Sequence, residues 1–287
     1  MSHYCSPLRY PGGKGGLFSF VKDLFYNNEL IGASYAEPYA GGAGLALRLL
    51  FEEYVKEIYI NDLDVSIHAF WKTIVEQPQL FCNWIEDVDV TIKSWDYYRD
   101  VHRHADTSDK LELAKATFFL NRTNISGILM GGVIGGHGQN GKYKIDARFN
   151  KLDLIERIQK IARFSHRIHV SNLDGLTFIK KMDTKKHEVF IYLDPPYFLK
   201  GAELYMNYFS KKDHRKLSNY LDRIEKKWIV SYDNQDFILN LYAEKKRIVY
   251  KLAQSASNRV GDEVLIFSNQ VQFHNSMEQL NHAVLVQ

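Results

Sequence analysis

Val189-Phe190-Ile191-Tyr192-Leu193-Asp194-Pro195-Pro196-Tyr197 is the stretch on which the reading of this chain turns. Five apolar residues in succession, rich in β-branched and aromatic side chains, predict a strand buried on both faces of a sheet. The run stops at Asp-Pro-Pro, because proline lacks the amide hydrogen that a ladder needs and biases the residue before it towards extended backbone. A carboxylate, a rigid backbone and an aromatic ring thus stand at a strand's carboxyl end, the edge where open α/β sheets bind ligands. With Pro195 and Pro196 removing two donors, such a loop offers acceptors: the Asp194 carboxylate and the Pro195 carbonyl. These suit an exocyclic amine such as adenine N6, whose lone pair is delocalised into the ring. Hydrogen bonds from both amine protons would localise that pair towards an incoming methyl group, with Tyr197 stacked on the base. The plainer alternative is a turn in which Asp194 caps backbone donors and Tyr197 packs.

Towards the amino terminus, a strand at about Ser34 to Glu37 runs into Pro38-Tyr39-Ala40-Gly41-Gly42-Ala43-Gly44. A helix through Leu45, Leu49 and Leu50 and a strand from Glu57 to Asn61 follow, which makes a βαβ unit with glycines at its first turn. Gly41, Gly42 and Gly44 do not form a strict G-x-G-x-x-G, since the third position is Leu47. Asp62, however, ends the next strand about 20 residues on, where a carboxylate can accept the hydroxyl hydrogens of a ribose. The implied ligand is a nucleoside; the other reading of Asp62 is a helix cap or turn. Arg9-Tyr10-Pro11-Gly12-Gly13-Lys14-Gly15-Gly16 is not a phosphate loop, because Gly15 stands where a Ser or Thr should hold magnesium and no strand feeds it.

From about Ser66 to Phe164 the pattern changes to helical segments rich in aromatic and charged residues, interrupted by the glycine-rich run Gly127 to Gly136. Strand and helix alternation resumes with a strand at Arg167 to Val170 and a helix near Gly175 to Met182. Beyond Tyr197 come a helix (about Lys211 to Ile224), a strand (Trp228 to Ser231), a helix near Phe237 to Tyr242 and two closing strands, about Arg247 to Leu252 and Glu263 to Phe267. The fold class read from these elements is α/β with a helical insertion.

With 287 residues, 45% of them hydrophobic, the chain can bury a full core and a second small lobe. No apolar run approaches the roughly 20 residues of a membrane helix, and the start lacks a signal peptide's apolar stretch, so a cytoplasmic location and no membrane are expected. Cys5 and Cys82 are far apart and outside any metal-ligand spacing, which indicates ordinary thiols and no metal. A net charge of +3 is compatible with a polyanionic partner without demonstrating one. Lys180, Lys181, Lys185 and Lys186, and then Lys211, Lys212, Arg215 and Lys216, read as solvated faces.

Taken in order, these motifs resemble the Dam-like, class alpha (D12 class) DNA adenine-N6 methyltransferases over most of the chain. The resemblance implies a Rossmann-like sheet, mostly parallel with an antiparallel closing hairpin, formed by residues 1–65 and 166–287. It assigns residues 66–165 to a mainly helical target-recognition insertion that binds double-stranded DNA. Arg9 to Lys14 is similar to the family's amino-terminal cofactor motif, which implies that Tyr10 and Lys14 touch S-adenosylmethionine. Glu37-Pro38-Tyr39-Ala40-Gly41-Gly42-Ala43-Gly44 resembles its methionine-side motif, usually written with Phe where Tyr39 stands. Asp62 falls at the ribose acid, and Asp194-Pro195-Pro196-Tyr197 at the catalytic motif, with Asp194 also bordering the cofactor. Asp174 lies where the family's Asp-Phe borders the cofactor's adenine, but Gly175 replaces the Phe.

Phe118 to Gly127 resembles the segment leading into the family's DNA-contacting hairpin. Arg122, Asn124, His137, Gln139, Asn140 and Lys142 are the candidate DNA contacts. Trp228 to Asp233 resembles a strand lining the target pocket, with Tyr232 and Asn258 as supporting candidates. The chemistry implied is transfer of a methyl group from S-adenosylmethionine to an adenine flipped out of the duplex, with no covalent enzyme intermediate. Methylation of RNA or of a protein glutamine reuses a similar loop, though those families more often begin it with Asn. A catalytically silent DNA-binding module is the reading from another class, and joint retention of Tyr10, Lys14, Asp62, Asp194 and Tyr197 speaks against it. A cognate restriction endonuclease acting separately is a partner compatible with this reading.

Overall fold

The apolar runs of the sequence become strands of one eight-stranded sheet in the computed structural model, which describes residues 5–10, 13–105, 109–198, 209–253 and 260–286. In chain order the strands are β1 (Ser34–Glu37), β2 (Glu57–Asn61), β3 (Ile168–Ser171), β4 (Val189–Leu193), β5 (Trp228–Asp233), β6 (Arg247–Ala253), β7 (Val260–Phe267) and β8 (Val284–Val286). Across the sheet they run β3-β2-β1-β4-β5-β7-β6-β8. The first five are parallel to one another, while β7 lies antiparallel between β5 and β6, and β8 is antiparallel to β6. The fold is therefore α/β, mostly parallel with antiparallel closing strands. The closing pair is a hairpin, but its second strand is inserted inside the first. β8 was not foreseen, because a three-residue exposed strand carries no periodic signal.

Side chains on alternate sides of each central strand enter two separate cores. Tyr35, Phe190, Tyr192 and Ile229 belong to one, and Ala36, Val189, Ile191, Leu193, Val230 and Tyr232 to the other. All five residues of β4 are buried, which is why its run is continuously apolar. Helices α1 (Phe18–Asn27) and α2 (Gly44–Phe51) supply the first core, whereas α8 (Gly175–Asp183), α9 (Lys211–Leu221) and α10 (Asp236–Leu241) supply the second.

Between β2 and β3 run α3 (Val65–Glu76), α4 (Pro78–Asp87), α5 (Ile92–Arg103), α6 (Lys110–Thr123) and α7 (Lys151–Arg163). Four of their starts are sealed by side chains that accept orphan amides, Asp64, Thr91, Asp109 and Asn150 each capping one helix, while α4 begins at Pro78. The apolar faces of these helices join the first core without a break, so the insertion shares its interior with one side of the sheet. Between α6 and α7 the segment is a loop with short 3-10 turns and one antiparallel bridge, Asn124 to Val133, where a hairpin was expected. Seven glycines among its residues 127–141 starve it of side chains that could pair strands. Among the described residues no helix is long and apolar enough to cross a membrane.

The centre of the insertion is Phe118, fully buried on α6 and packed against the rings of Phe70, Phe81, Trp84 and Phe149. Phe118→Ala leaves a cavity among four aromatic rings and is expected to lower the free energy of unfolding by about 3 to 5 kcal/mol, read from urea denaturation. A loss below about 1 kcal/mol would show that the helices collapse onto the vacancy.

Candidate active site

The chain order along the sheet reverses between β1 and β4, and at such a switch point the loops leaving adjacent strand ends diverge and open a crevice. β1 delivers Glu37 to Gly44 into it, and β4 delivers Asp194 to Tyr197. The first loop is pinned from outside. Asn61, buried at the end of β2, donates to the carbonyls of Pro38 and Leu173, both at 2.9 Å, and accepts from the Leu173 amide. The Ala40 amide donates to the Asn61 carbonyl at 2.9 Å, and the indole of Trp71 donates to the Gly41 carbonyl at 2.8 Å. Gly41 has φ +46°, and a Cβ there would lie 2.6 Å from the Tyr10 ring. Tyr10 therefore packs directly on the backbone of Gly41 and Gly42, and Gly44 begins α2 behind them.

Asp62 is fastened to the same loop. One of its oxygens accepts the Gly41 amide at 2.9 Å and the other the Asp64 amide at 3.0 Å. Burial raises its pKa to about 6, against the pull of those amides. Glu37, at the end of β1, is buried and accepts the Tyr35 hydroxyl at 2.9 Å. Burial carries its pKa to about 8, so the carboxyl is mostly neutral at pH 7. On the far wall Asp174 is exposed and caps α8, accepting the amides of Leu176 and Thr177. Next to it Gly175 leaves the space that the Tyr39 ring fills.

The Asp-Pro-Pro-Tyr loop is held by charge. Asp194 Oδ1 lies 3.4 Å from the Lys14 ammonium and accepts the Ser231 hydroxyl at 2.7 Å. Lys14 also donates to both oxygens of Glu263, at 3.3 and 3.1 Å, and to the Tyr197 hydroxyl. Tyr197 in turn donates to Glu263 at 2.8 Å, and the amide of Phe198 donates to Asp233 at 3.0 Å. Burial would depress the pKa of Lys14, but Asp194 and Glu263 overcome it and hold the ammonium above the usual lysine value. Burial likewise lifts Asp194; Lys14 pulls it back down and Glu263 pushes it up, with a net rise. The amino-terminal motif, the Asp-Pro-Pro-Tyr loop and the closing strands thus meet at one buried cation. Pro11, Gly12, Ser257, Asn258 and Arg259 lie outside the described residues.

Residues 10–256 match the family described as D12 class N6 adenine-specific DNA methyltransferase. This chain belongs to that family. The Type II methyltransferase M.CviBI of Paramecium bursaria Chlorella virus NC1A is 25% identical over 274 residues, which cover 90% of this chain and 95% of the viral one. A solved structure of a proposed RNA methyltransferase from Pyrococcus horikoshii aligns over 91% of this chain and 86% of its own, at TM-score 0.42 and 12% identity. That likeness is too distant to bear on the acceptor.

In this adenine-specific DNA methyltransferase the candidate DNA contacts divide into two groups. His137, Asn140 and Lys142 are exposed on the loop between α6 and α7. Arg122 and Asn124 are not available: they are 8% and 0% exposed, with their polar atoms spent inside the protein. Arg122 donates to the carbonyls of Arg148 and Pro7, and Asn124 to those of Ile128 and Leu129 while accepting from the indole of Trp95. They build the loop, and the expectation that they touch DNA is corrected on that ground. Gln139 braces the loop too, donating to Ile134 and Gly136 carbonyls and accepting the Ile145 amide. Tyr232 is fully buried, with its hydroxyl against His214 at 3.0 Å, and so belongs to the core.

Three residues of the methyltransferase site carried no notice in the sequence. Glu263 lies within β7 at the start of its apolar run, where an acid on the inward register was the available signal. Asn61 reads as a strand end. Asn121 accepts the Arg9 amide at 2.7 Å and donates to the Arg9 and Gly127 carbonyls, tying the amino-terminal motif to the insertion. Gly41→Ala should force the Tyr10 ring off the loop and adopt a disfavoured φ, costing at least about 1 kcal/mol of stability by thermal or urea unfolding. Wild-type stability in that variant would mean the loop and the ring separate freely.

Proposed function

We propose that this methyltransferase transfers a methyl group from S-adenosylmethionine to N6 of an adenine flipped out of double-stranded DNA, in the crevice between the ends of β1 and β4. The observation that carries this reading is the exposure of three linked charges. The Asp194 side chain is 27% exposed to the crevice, whereas Lys14 and Glu263 behind it are 5% and 2% exposed. An acceptor offered to a ligand and backed by an enclosed cation suits hydrogen bonding to an amine. When bound, S-adenosylmethionine supplies a methyl group on a positively charged sulfur. Residues on the β1 side fit it: Gly41 and Gly42 leave room beside the Tyr10 ring, and Asp62 faces the same loop as an acceptor for ribose hydroxyls. Glu37, Pro38, Tyr39, Ala40 and Gly44 complete that wall, with Lys14 behind it and Asp174 at its rim.

Asp194 and the Pro195 carbonyl would accept hydrogen bonds from the two N6–H groups, Pro196 would keep the loop rigid, and Tyr197 would stack on the base. The Asp194 charge also stabilises the positive charge that builds on nitrogen as the new bond forms. Residues 1–65 and 166–287 act as the catalytic lobe and residues 66–165 as the recognition lobe. His137, Asn140 and Lys142, with the neighbouring exposed Lys144 and Arg148, provide the DNA-facing side of the α6–α7 loop. A cytoplasmic location and a separately acting restriction endonuclease belong to the same proposal.

The test is transfer of labelled methyl from S-adenosylmethionine to unmethylated double-stranded DNA, followed by nucleoside analysis. Label in N6-methyladenine is expected, and Asp194→Ala should abolish it while the protein stays folded. Label absent from DNA and present in RNA or protein would overturn the assignment, as would full activity in the variant. A second expectation follows from Glu37. Its carboxyl, with a pKa of about 8, is protonated at pH 7, and a cationic cofactor nearby favours the ionised form. Binding at pH 7 should therefore release up to about one proton, seen in calorimetry as an enthalpy that varies with the ionisation enthalpy of the buffer. A buffer-independent enthalpy places the cofactor's charge away from Glu37.

A further inference from the structure

We propose that Glu263 is a positioning residue for methyl transfer, holding Lys14 and Tyr197 in place so that Asp194 is presented to the target amine in one geometry. The inference rests on the reading of Asp194 given above. Glu263 is 2% exposed and cannot touch DNA or cofactor itself. Its oxygens are nonetheless fully engaged: one accepts Tyr197 at 2.8 Å, the other accepts Tyr250 at 2.7 Å, and both accept Lys14. The antiparallel register explains how it gets there. Glu263 on β7 lies opposite Tyr250 on β6 and Asp233 on β5. Asp233 accepts the Phe198 amide and Glu263 the Tyr197 hydroxyl, so adjacent strands hold consecutive residues of the catalytic loop.

The charge pattern gives the device its direction. A lone ammonium facing Asp194 would be drawn onto it and would occupy the oxygens that an incoming amine needs. Glu263 takes a share of Lys14 from behind, leaving Oδ1 at 3.4 Å rather than in close contact. It also gives the Tyr197 hydroxyl an acceptor, which sets where that ring stands. Besides Lys14 and Glu263, the groups facing Asp194 are Ser231, Glu37, Tyr35, Tyr192, Tyr197 and Tyr250. Of the two charges nearest it, Lys14 lowers the pKa of Asp194 and Glu263 raises it.

The experiment compares wild type with Glu263→Gln, which keeps size and removes charge, in kcat, KM for DNA, cofactor Kd and thermal unfolding. The expected result is a kcat about tenfold to a hundredfold lower with Kd and KM within about twofold. The acid limb of the kcat profile should move to lower pH, because Lys14 then acts on Asp194 unopposed; a purely structural role would leave that limb in place. Lys14→Met combined with Glu263→Gln should lose less than the product of the two single losses, since part of the effect of Glu263 runs through Lys14 and the rest through Tyr197. A Glu263→Gln kcat within about twofold of wild type, or multiplicative losses in the double variant, overturns the proposal. Should Glu263→Gln fail to fold, Tyr250→Phe removes one bond to the carboxylate and is expected to lower kcat about fivefold, and an unchanged kcat there overturns it equally. If wild type itself labels no DNA, the reading of Asp194 fails; if wild type labels DNA and the variants match it, only the role of Glu263 fails.

Discussion

A buried ammonium is the constraint around which the functional end of this molecule is arranged. Taking a charge out of water costs several kcal/mol unless partners replace the lost hydration, and Lys14 is 5% exposed. Its three donors find Asp194, Glu263 and Tyr197, which come from the loop after β4 and from β7. Each of those elements would lose its own partner if another moved: without Lys14, two carboxylates would face each other across the site. The closing strands therefore do more than cover a sheet edge. Because β7 is inserted between β5 and β6, its inward acid arrives beside the Asp-Pro-Pro-Tyr loop, where an ordinary terminal hairpin would have left it further out.

A second set of bonds joins the helical insertion to the crevice without charge. Asn121 on α6 takes both backbone groups of Arg9, and Gly127 packs so closely on Arg9 that a Cβ would lie 2.5 Å from its carbonyl. Five residues beyond Arg9, the same strand of chain supplies Lys14. Trp71 on α3 reaches the Gly41 carbonyl from the other side. The insertion is thus bonded to the amino-terminal motif and to the β1 loop of the crevice.

Local chemistry was legible in the sequence, and non-local pairing was not. Proline after a buried strand, glycines before a helix and an acid at the end of β2 each impose their geometry within a few residues, so Asp194, Gly41 and Asp62 could be placed from spacing alone. Glu263 acquires its role from β-register with Tyr250 and from a lysine 249 positions away, which no window of sequence displays. Arg122 and Asn124 show the converse. Polar residues near a glycine-rich loop resemble ligand contacts, yet a loop with so few side chains and strand pairs must satisfy its carbonyls somehow, and these two residues do it from within.

The two departures from the family pattern, Tyr39 for Phe and Gly175 for Phe, are coupled through space. A Cβ at residue 175 would fall 2.5 Å from the Tyr39 hydroxyl and 2.6 Å from its ring carbons, distances at which no side chain can coexist with that ring. Burial raises the Tyr39 pKa, so the phenol stays neutral and behaves there as an aromatic wall with a polar tip. Asp174 still caps α8, so the helix start survives the loss of the neighbouring side chain. The aromatic ring on this wall of the crevice arises from the β1 loop, the same loop that carries Gly41 and is pinned by Asn61. Shape on this side of the site is therefore set by β1 rather than by α8, and residue 175 cannot regain a side chain while Tyr39 keeps its place.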